Sequence, residues 1–223
     1  MNNILNKRLS IVLGFVILFL SSCSGLGKPA NKIEYYTLEY DFHRFEGYDP
    51  LSLAIKVERF SVAPLYNTNR IIYRDKSFKR KAYVYHMWQA NPGDLVSYFL
   101  SRDMRKSGLF KAVLPGDSRL PSEYLLEGSV DEFFEWDEDE GWKAILTLTV
   151  TLMIENEPDV SKRILFQKTY GARESCQEKT PGALAEAMSK AMAKVTTQII
   201  REIYPSLKIE NSRRSEETPR EKE

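Results

Sequence analysis

The first residue with a predictable chemistry is Cys23, which ends the segment Leu20-Ser21-Ser22-Cys23. Small residues before a cysteine, directly after an apolar run, are typical of the processing site of bacterial lipoproteins. At such a site the thiol receives a diacylglyceryl group, the chain is cleaved before the cysteine, and the new amino group is acylated. The segment therefore predicts a diacylglycerol and an N-acyl chain bound covalently to Cys23, and no other cofactor.

The residues before Cys23 resemble a secretory signal. Lys7 and Arg8 form a basic start, and the apolar run 9–20 is shorter than the roughly 20 residues that span a bilayer. We therefore expect a lipoprotein signal peptide over residues 1–22. Ser24 in place of Asp favours export to the outer membrane, where several acyl chains give stable anchoring. The alternatives are an ordinary signal peptide or a cytosolic chain with an apolar start.

Charge and composition narrow the class of protein. The chain has 32 Lys and Arg against 31 Asp and Glu. Removal of residues 1–22 takes away two cations and no acid, which leaves a net charge of −1. No polybasic surface is available to drive nucleic-acid binding. A hydrophobic fraction of 43% is sufficient for a packed core.

Once Cys23 is acylated, Cys176 has no partner within the chain, and is either an unreactive thiol or part of an intermolecular disulfide.

Hydrophobic periodicity predicts an α+β fold, with a mainly antiparallel sheet and two amphipathic helices packed on one face. Pro92 and Gly108 delimit a helix over 92–107, and a second helix over 180–204 ends before Pro205. Short turns between the last three strands indicate an antiparallel meander. The predicted strands are 33–40, 51–60, 70–74, 82–88, 124–136, 142–155 and 163–170.

The domain boundaries follow from these elements. Residues 23–32 form a lipidated tether that reaches roughly 30 Å when extended. The folded domain covers 33–204. Residues 205–223 are charged and lack periodicity, so we expect them to be a disordered tail.

The sequence lacks the local motifs that accompany catalysis, so we expect no enzyme. It has no nucleophile turn and no glycine-rich phosphate loop, and neither His43 nor His86 has a neighbour at metal-ligand spacing. The acidic run 131–140 does not match the offsets of a calcium loop, which favours a solvated turn. A hydrolase with a scattered active site is the alternative. It would place His43 or His86 in a deep polar pocket, hydrogen-bonded to carboxylates.

The segment 70–88 is the candidate surface for a protein partner. Arginine and aromatic side chains are enriched in binding hot spots, and strand alternation leaves some of these rings on the outer face. Core packing is the alternative explanation for the rings. The predicted partner-binding residues are Arg70, Tyr73, Arg74, Tyr83, Tyr85 and Trp88.

From about residue 35 to 204, the chain resembles the ABC-type transport auxiliary lipoprotein family. The resemblance depends on the order and spacing of several short segments behind the Cys23 motif. The acidic turn 137–140 and the charged tail depart from the family pattern. The segments are Tyr35-Tyr36-Thr37-Leu38, Asn69 to Asp75, Trp88 before a helix that contains Leu95, Ser107-Gly108-Leu109-Phe110 with Val113, and Tyr124 to Gly128.

The resemblance implies a non-catalytic lipoprotein anchored in the outer membrane, with its domain in the periplasm. It would dock an Mce-domain protein of an inner-membrane ABC permease and ATPase that transports lipid or another hydrophobic molecule. A homo-oligomer is possible, because some family members assemble as rings. The alternative function is an envelope-assembly lipoprotein that binds barrel or lipopolysaccharide machinery.

Overall fold

The computed structural model describes residues 32–217, in which nine strands form one mixed sheet accompanied by three helices. The predicted α+β class is confirmed. The strands are β1 (Glu34–Tyr36), β2 (Leu51–Val57), β3 (Ser61–Val62), β4 (Arg70–Arg74), β5 (Lys81–Trp88), β6 (Phe110–Pro115), β7 (Tyr124–Glu138), β8 (Gly141–Ile154) and β9 (Ile164–Ser175). The helices are α1 (Pro92–Ser107), α2 (Val160–Arg163) and α3 (Pro181–Glu217).

Strand β7 is the centre of the sheet, because it pairs with four other strands. One edge pairs with β8 along its whole length, and β8 pairs with β9, which gives the predicted antiparallel meander. The other edge pairs in succession with β2, β3 and β4, all parallel to β7. Five of the eight strand pairings in the described residues are parallel. The sheet is therefore mixed. Local hairpins give its antiparallel pairs, and strands distant in sequence give the parallel ones.

Helix α1 has the boundaries that the sequence predicts. The Asn91 side chain accepts a hydrogen bond from the backbone N–H of Gly93 at 3.0 Å, and Pro92 occupies the first turn. Gly108 ends the helix in the left-handed conformation, with a φ of 67°. The buried apolar face of α1 consists of Leu95, Val96, Phe99, Leu100 and Met104.

Helix α3 packs its predicted apolar stripe on β8 and β9. It also contacts α1. In this contact the Thr196 hydroxyl of α3 donates a hydrogen bond of 2.8 Å to the buried Asp103 carboxylate of α1. Since the two helices touch each other, they lie on the same face of the sheet, as predicted. The completely buried residues of the stripe are Leu184, Met188, Ala191, Val195, Ile199 and Ile203.

The predicted end of the second helix is wrong, because α3 continues through Pro205 to Glu217. Residues 205–217 are therefore not a disordered tail. Leu207 is completely buried, and the Tyr204 hydroxyl donates to the carbonyl of Asp49 at 2.8 Å. Burial of this turn outweighs the roughly 3 kcal/mol that an interior proline costs a helix.

Several predicted segments lie outside the described residues. They are the signal peptide over 1–22, Cys23 with nearly all of its tether, and the last six residues of the predicted tail. Within the described part, none of the helices combines the length and apolarity needed to cross a bilayer.

Candidate functional site

The two histidines lie at the surface rather than in an active site. His86 Nδ1 is 3.3 Å from Glu34 Oε2, and the Glu34 side chain is more than half exposed. His43 Nε2 is 3.2 Å from an Arg201 guanidinium nitrogen. Between residues 32 and 217, no group of three His, Cys, Asp or Glu side chains is placed to hold a metal ion. His43 lines an open cavity of about 350 Å³, and no carboxylate of the described residues lines that cavity.

The hairpin of β4 and β5 places the predicted partner-binding residues at different depths. Arg70 is exposed at the start of β4, and Tyr85 is 41% exposed on β5. Tyr73 and Tyr83 are half-buried, with ring centroids 4.7 Å apart. Arg70 and Tyr85 are therefore more accessible to a partner than Tyr73 and Tyr83.

Trp88 belongs to the core, so its prediction as a partner-binding residue is wrong. Its side chain is almost completely buried, and its ring lies edge-on to Phe133 at 5.2 Å between centroids. It is the last residue of β5 and is paired with Tyr36 of β1, directly before α1 covers the sheet. The strand alternation identified the aromatic pattern but not which face of this strand the helices cover.

The outer edge of β5 is only partly covered. Strand β1 pairs with residues 86–88, so the edge from residue 81 to 85 has no strand partner within the described chain. Val84 and Tyr85 are exposed on this edge, and Tyr35 is exposed beside it on β1. The hairpin therefore presents a strand edge without a partner strand in the described part of the chain, together with exposed apolar side chains.

Three arginines stack on two neighbouring aromatic rings of β7. The Arg74 guanidinium lies 3.8 Å from the Trp136 ring, Arg80 lies 5.4 Å from Phe134, and Arg173 lies 5.5 Å from Trp136. None of these arginines has a carboxylate partner among the described side chains. The buried Nε atoms of Arg74 and Arg80 also lack a hydrogen-bond acceptor there. The three arginines of this cluster therefore carry positive charge without a carboxylate at ion-pair distance among the described residues.

A carboxylate is buried beneath the hairpin, where the sequence predicted a strand running into a solvated turn. Glu135 is completely buried, and the Tyr83 hydroxyl donates to its two oxygens at 3.2 Å and 3.1 Å. Burial raises the pKa of Glu135 to about 7, and the hydrogen bonds from Tyr83 offset part of that effect.

Burial and the Glu135 charge together raise the pKa of Cys176 to about 11. At neutral pH this thiol is protonated and unreactive.

The acidic turn between β7 and β8 is neutralised by lysines. Asp137 pairs with Lys179 at 2.9 Å, Glu138 pairs with Lys143 at 2.5 Å, and Asp139 pairs with Lys76. Three of the four carboxylates of the turn therefore have an ammonium partner, and Glu140 has none among the described residues. This arrangement suits a solvated turn.

The fold and this surface can be compared with known proteins. The family model described as the ABC-type transport auxiliary lipoprotein component matches residues 36–200. The chain belongs to this family. The members of this family are lipoprotein components that are auxiliary to ABC-type transport. The predicted family is confirmed.

Solved structures share the fold of this auxiliary lipoprotein. Protein XCC0632 from Xanthomonas campestris, of the DUF330 family, is similar with a TM-score of 0.72 and 18% identity, over 80% of this chain and 99% of that one. A second crystal structure, of an uncharacterized protein, has a TM-score of 0.58 and 14% identity, over 77% and 99% of the two chains. No protein of curated function matches the sequence. At these identities the likeness shows the fold alone.

Proposed function

We propose that this lipoprotein is a non-catalytic docking component of an Mce/ABC-type system that moves lipid or another hydrophobic solute between membranes. The acyl chains on Cys23 anchor it in the outer membrane, and its domain faces the periplasm. Its partner is the Mce-domain protein of an inner-membrane permease and ATPase. The observation that carries this proposal is the family match over residues 36–200, which begins shortly after the Cys23 motif.

The open edge of β5 supports a docking role. An extended segment of a partner can add to an exposed sheet edge, where backbone hydrogen bonds supply affinity and side-chain contacts supply specificity. The edge from residue 81 to 85 offers these backbone groups, with Val84, Tyr85 and Tyr35 beside them. Exposed tyrosines are suited to such contacts because their rings are large and rigid. We therefore assign the Mce-domain contact to this edge.

The test is site-specific photo-crosslinking in the lipidated full chain. A photoreactive aromatic residue replaces Tyr85 on the open edge or, as the matched control, Tyr98 on α1, which is 60% exposed. We expect position 85 to crosslink the Mce-domain protein and position 98 to leave it unlabelled. Crosslinks from position 85 to barrel or lipopolysaccharide assembly proteins would favour the envelope-assembly alternative. Equal labelling from both positions would contradict the assignment of the edge.

A further inference from the structure

The connection between β4 and β5 has an unusual combination of side chains. Residues 74–81, which we name the β4–β5 tip, read Arg-Asp-Lys-Ser-Phe-Lys-Arg-Lys, with five cations and one carboxylate. Phe78 lies at its centre and is fully exposed. An exposed aromatic ring among lysines and arginines is typical of segments that bind anionic lipid surfaces.

The charges around the tip leave an excess of positive charge. Lys76 and Lys81 are paired with Asp139 and Asp75. Three carboxylates at this end of the sheet have no cationic partner among the described residues: Glu140, Glu178 and the completely buried Glu135. Four cations at this end of the sheet have no carboxylate partner among the described residues: Arg74, Lys79, Arg80 and Arg173.

Strand direction places the tip at the end of the sheet that receives the lipid tether. Strands β1 and β5 are parallel, and Glu34 at the start of β1 is paired with His86 of β5. Strand β5 begins five residues before His86, at Lys81, so the tip lies about 17 Å beyond Glu34 along the strand axis. The eleven residues from Cys23 to Glu34 span up to about 36 Å when extended. The tether is therefore long enough for the tip to touch the surface that holds the anchor.

We propose that the β4–β5 tip is a membrane-contact site for anionic phospholipid headgroups. Lys79 and the unpaired arginines bind the phosphates, and the Phe78 ring enters the interface between headgroups and acyl chains. This goes beyond the proposed function, because a lipid anchor alone leaves the body free to rotate, whereas contact at the tip fixes its orientation. It also gives a role to the arginine cluster stacked on Trp136 and Phe134.

The contact has a predictable strength. One lysine or arginine near an anionic surface contributes about fivefold to affinity, and partial burial of a phenylalanine ring contributes about tenfold. Replacement of Phe78 by serine together with Lys79 by glutamate removes both contributions and adds a repulsive charge. We therefore expect the double variant to bind at least about tenfold more weakly. Both side chains are exposed, so the fold should be unaffected.

The test uses the mature-length chain, residues 23–223, with Cys23→Ser so that acyl chains do not contribute. It contains the whole described fold. Binding is measured by co-sedimentation with phosphatidylcholine vesicles that contain about one-third phosphatidylglycerol, and with pure phosphatidylcholine vesicles. The tip variant is Phe78→Ser with Lys79→Glu. The matched control is Leu120→Ser with Arg119→Glu, in the exposed loop before β7, at the opposite end of the sheet.

We expect the parent chain to bind the anionic vesicles, to release them in high salt, and not to bind the zwitterionic ones. The tip variant should lose at least about tenfold in affinity, while the control stays within about twofold of the parent. Equal affinities for the tip variant and the control, or a parent that ignores anionic vesicles, would overturn the proposal. If the parent ignores the vesicles and the tip variant loses the crosslink from position 85, the tip contacts protein and the docking function stands without this site.

Discussion

Glu135 gives the sharpest quantitative prediction, because it is a completely buried carboxylate whose pKa is raised to about 7 from the ordinary 4.5. In the unfolded chain the same group ionises at its ordinary pKa. Between these two values the folded state binds the proton more tightly than the unfolded state. The free energy of unfolding therefore falls as the pH rises from about 4.5 to about 7, and this contribution is constant above pH 7.

The size of the effect follows from the pKa difference. One pKa unit corresponds to about 1.4 kcal/mol, so between pH 5 and pH 8 Glu135 lowers the free energy of unfolding by about 2 to 3 kcal/mol. In Glu135→Gln the side chain cannot ionise, but its carbonyl oxygen can still accept from the Tyr83 hydroxyl. Any packing cost of the amide is the same at both pH values. The variant should therefore gain about 2 to 3 kcal/mol relative to the parent when the pH is raised from 5 to 8.

Urea unfolding, monitored by circular dichroism at pH 5 and at pH 8, gives the free energy of unfolding of the parent and of the variant. The quantity compared is the change in this free energy between the two pH values. The matched control is Glu132→Gln on the same strand, where Glu132 is half-buried and accepts a hydrogen bond from the Thr147 hydroxyl at 2.6 Å. The control should follow the parent at both pH values. If Glu135→Gln has the same pH dependence as the parent, Glu135 is ionised throughout, and burial does not dominate its titration.

Two further predictions test the helix extension and the anchor. Leu207→Ala, at a completely buried position beyond Pro205, should lower the free energy of unfolding by about 2 to 4 kcal/mol, whereas Ile209→Ala, at a position that is 71% exposed, should change it by less than about 0.5 kcal/mol. Urea unfolding measures both, and a neutral Leu207→Ala would mean that this turn does not pack on the body. Cells grown with labelled palmitate should incorporate it into the parent and into Cys176→Ser but not into Cys23→Ser. Label that survives Cys23→Ser would place the acyl chains on another residue.

Local patterns in the sequence were enough to predict the elements that are delimited by local signals. Pro92 and Gly108 fixed α1, and short turns fixed the β7–β8–β9 meander. Strand β6 was not predicted, because the segment 110–115 is short and ends in a proline. The continuation of α3 was missed because the burial of Leu207 is a tertiary effect that overrides the helix-breaking tendency of Pro205.

The candidate surface was predictable only in part. Tyr85 is exposed, as strand alternation suggested for some of the tyrosine rings, and Arg70 is exposed as well. Trp88 is buried in the core. The arginine cluster combines residues from the β4–β5 hairpin, β7 and β9, so its members are distant in sequence. No local pattern carries the information that two strands are neighbours in the sheet. The buried Glu135 was hidden for the same reason, since it lies in an acidic run that is otherwise solvated.

The pairing of β2, β3 and β4 along one edge of β7 has a consequence for how the chain acquires its structure. These three strands are synthesised before residues 124–138, with which one edge of each of them pairs. Strands β2 and β4 have a second partner, β6 or β5, that is synthesised before β7. During synthesis the edges that face β7 stay unpaired until residues 124–138 are made, and contacts of such large sequence separation form slowly. The first half of the body can therefore complete its sheet only after the second half has been made, so the nascent polypeptide needs protection from aggregation until then.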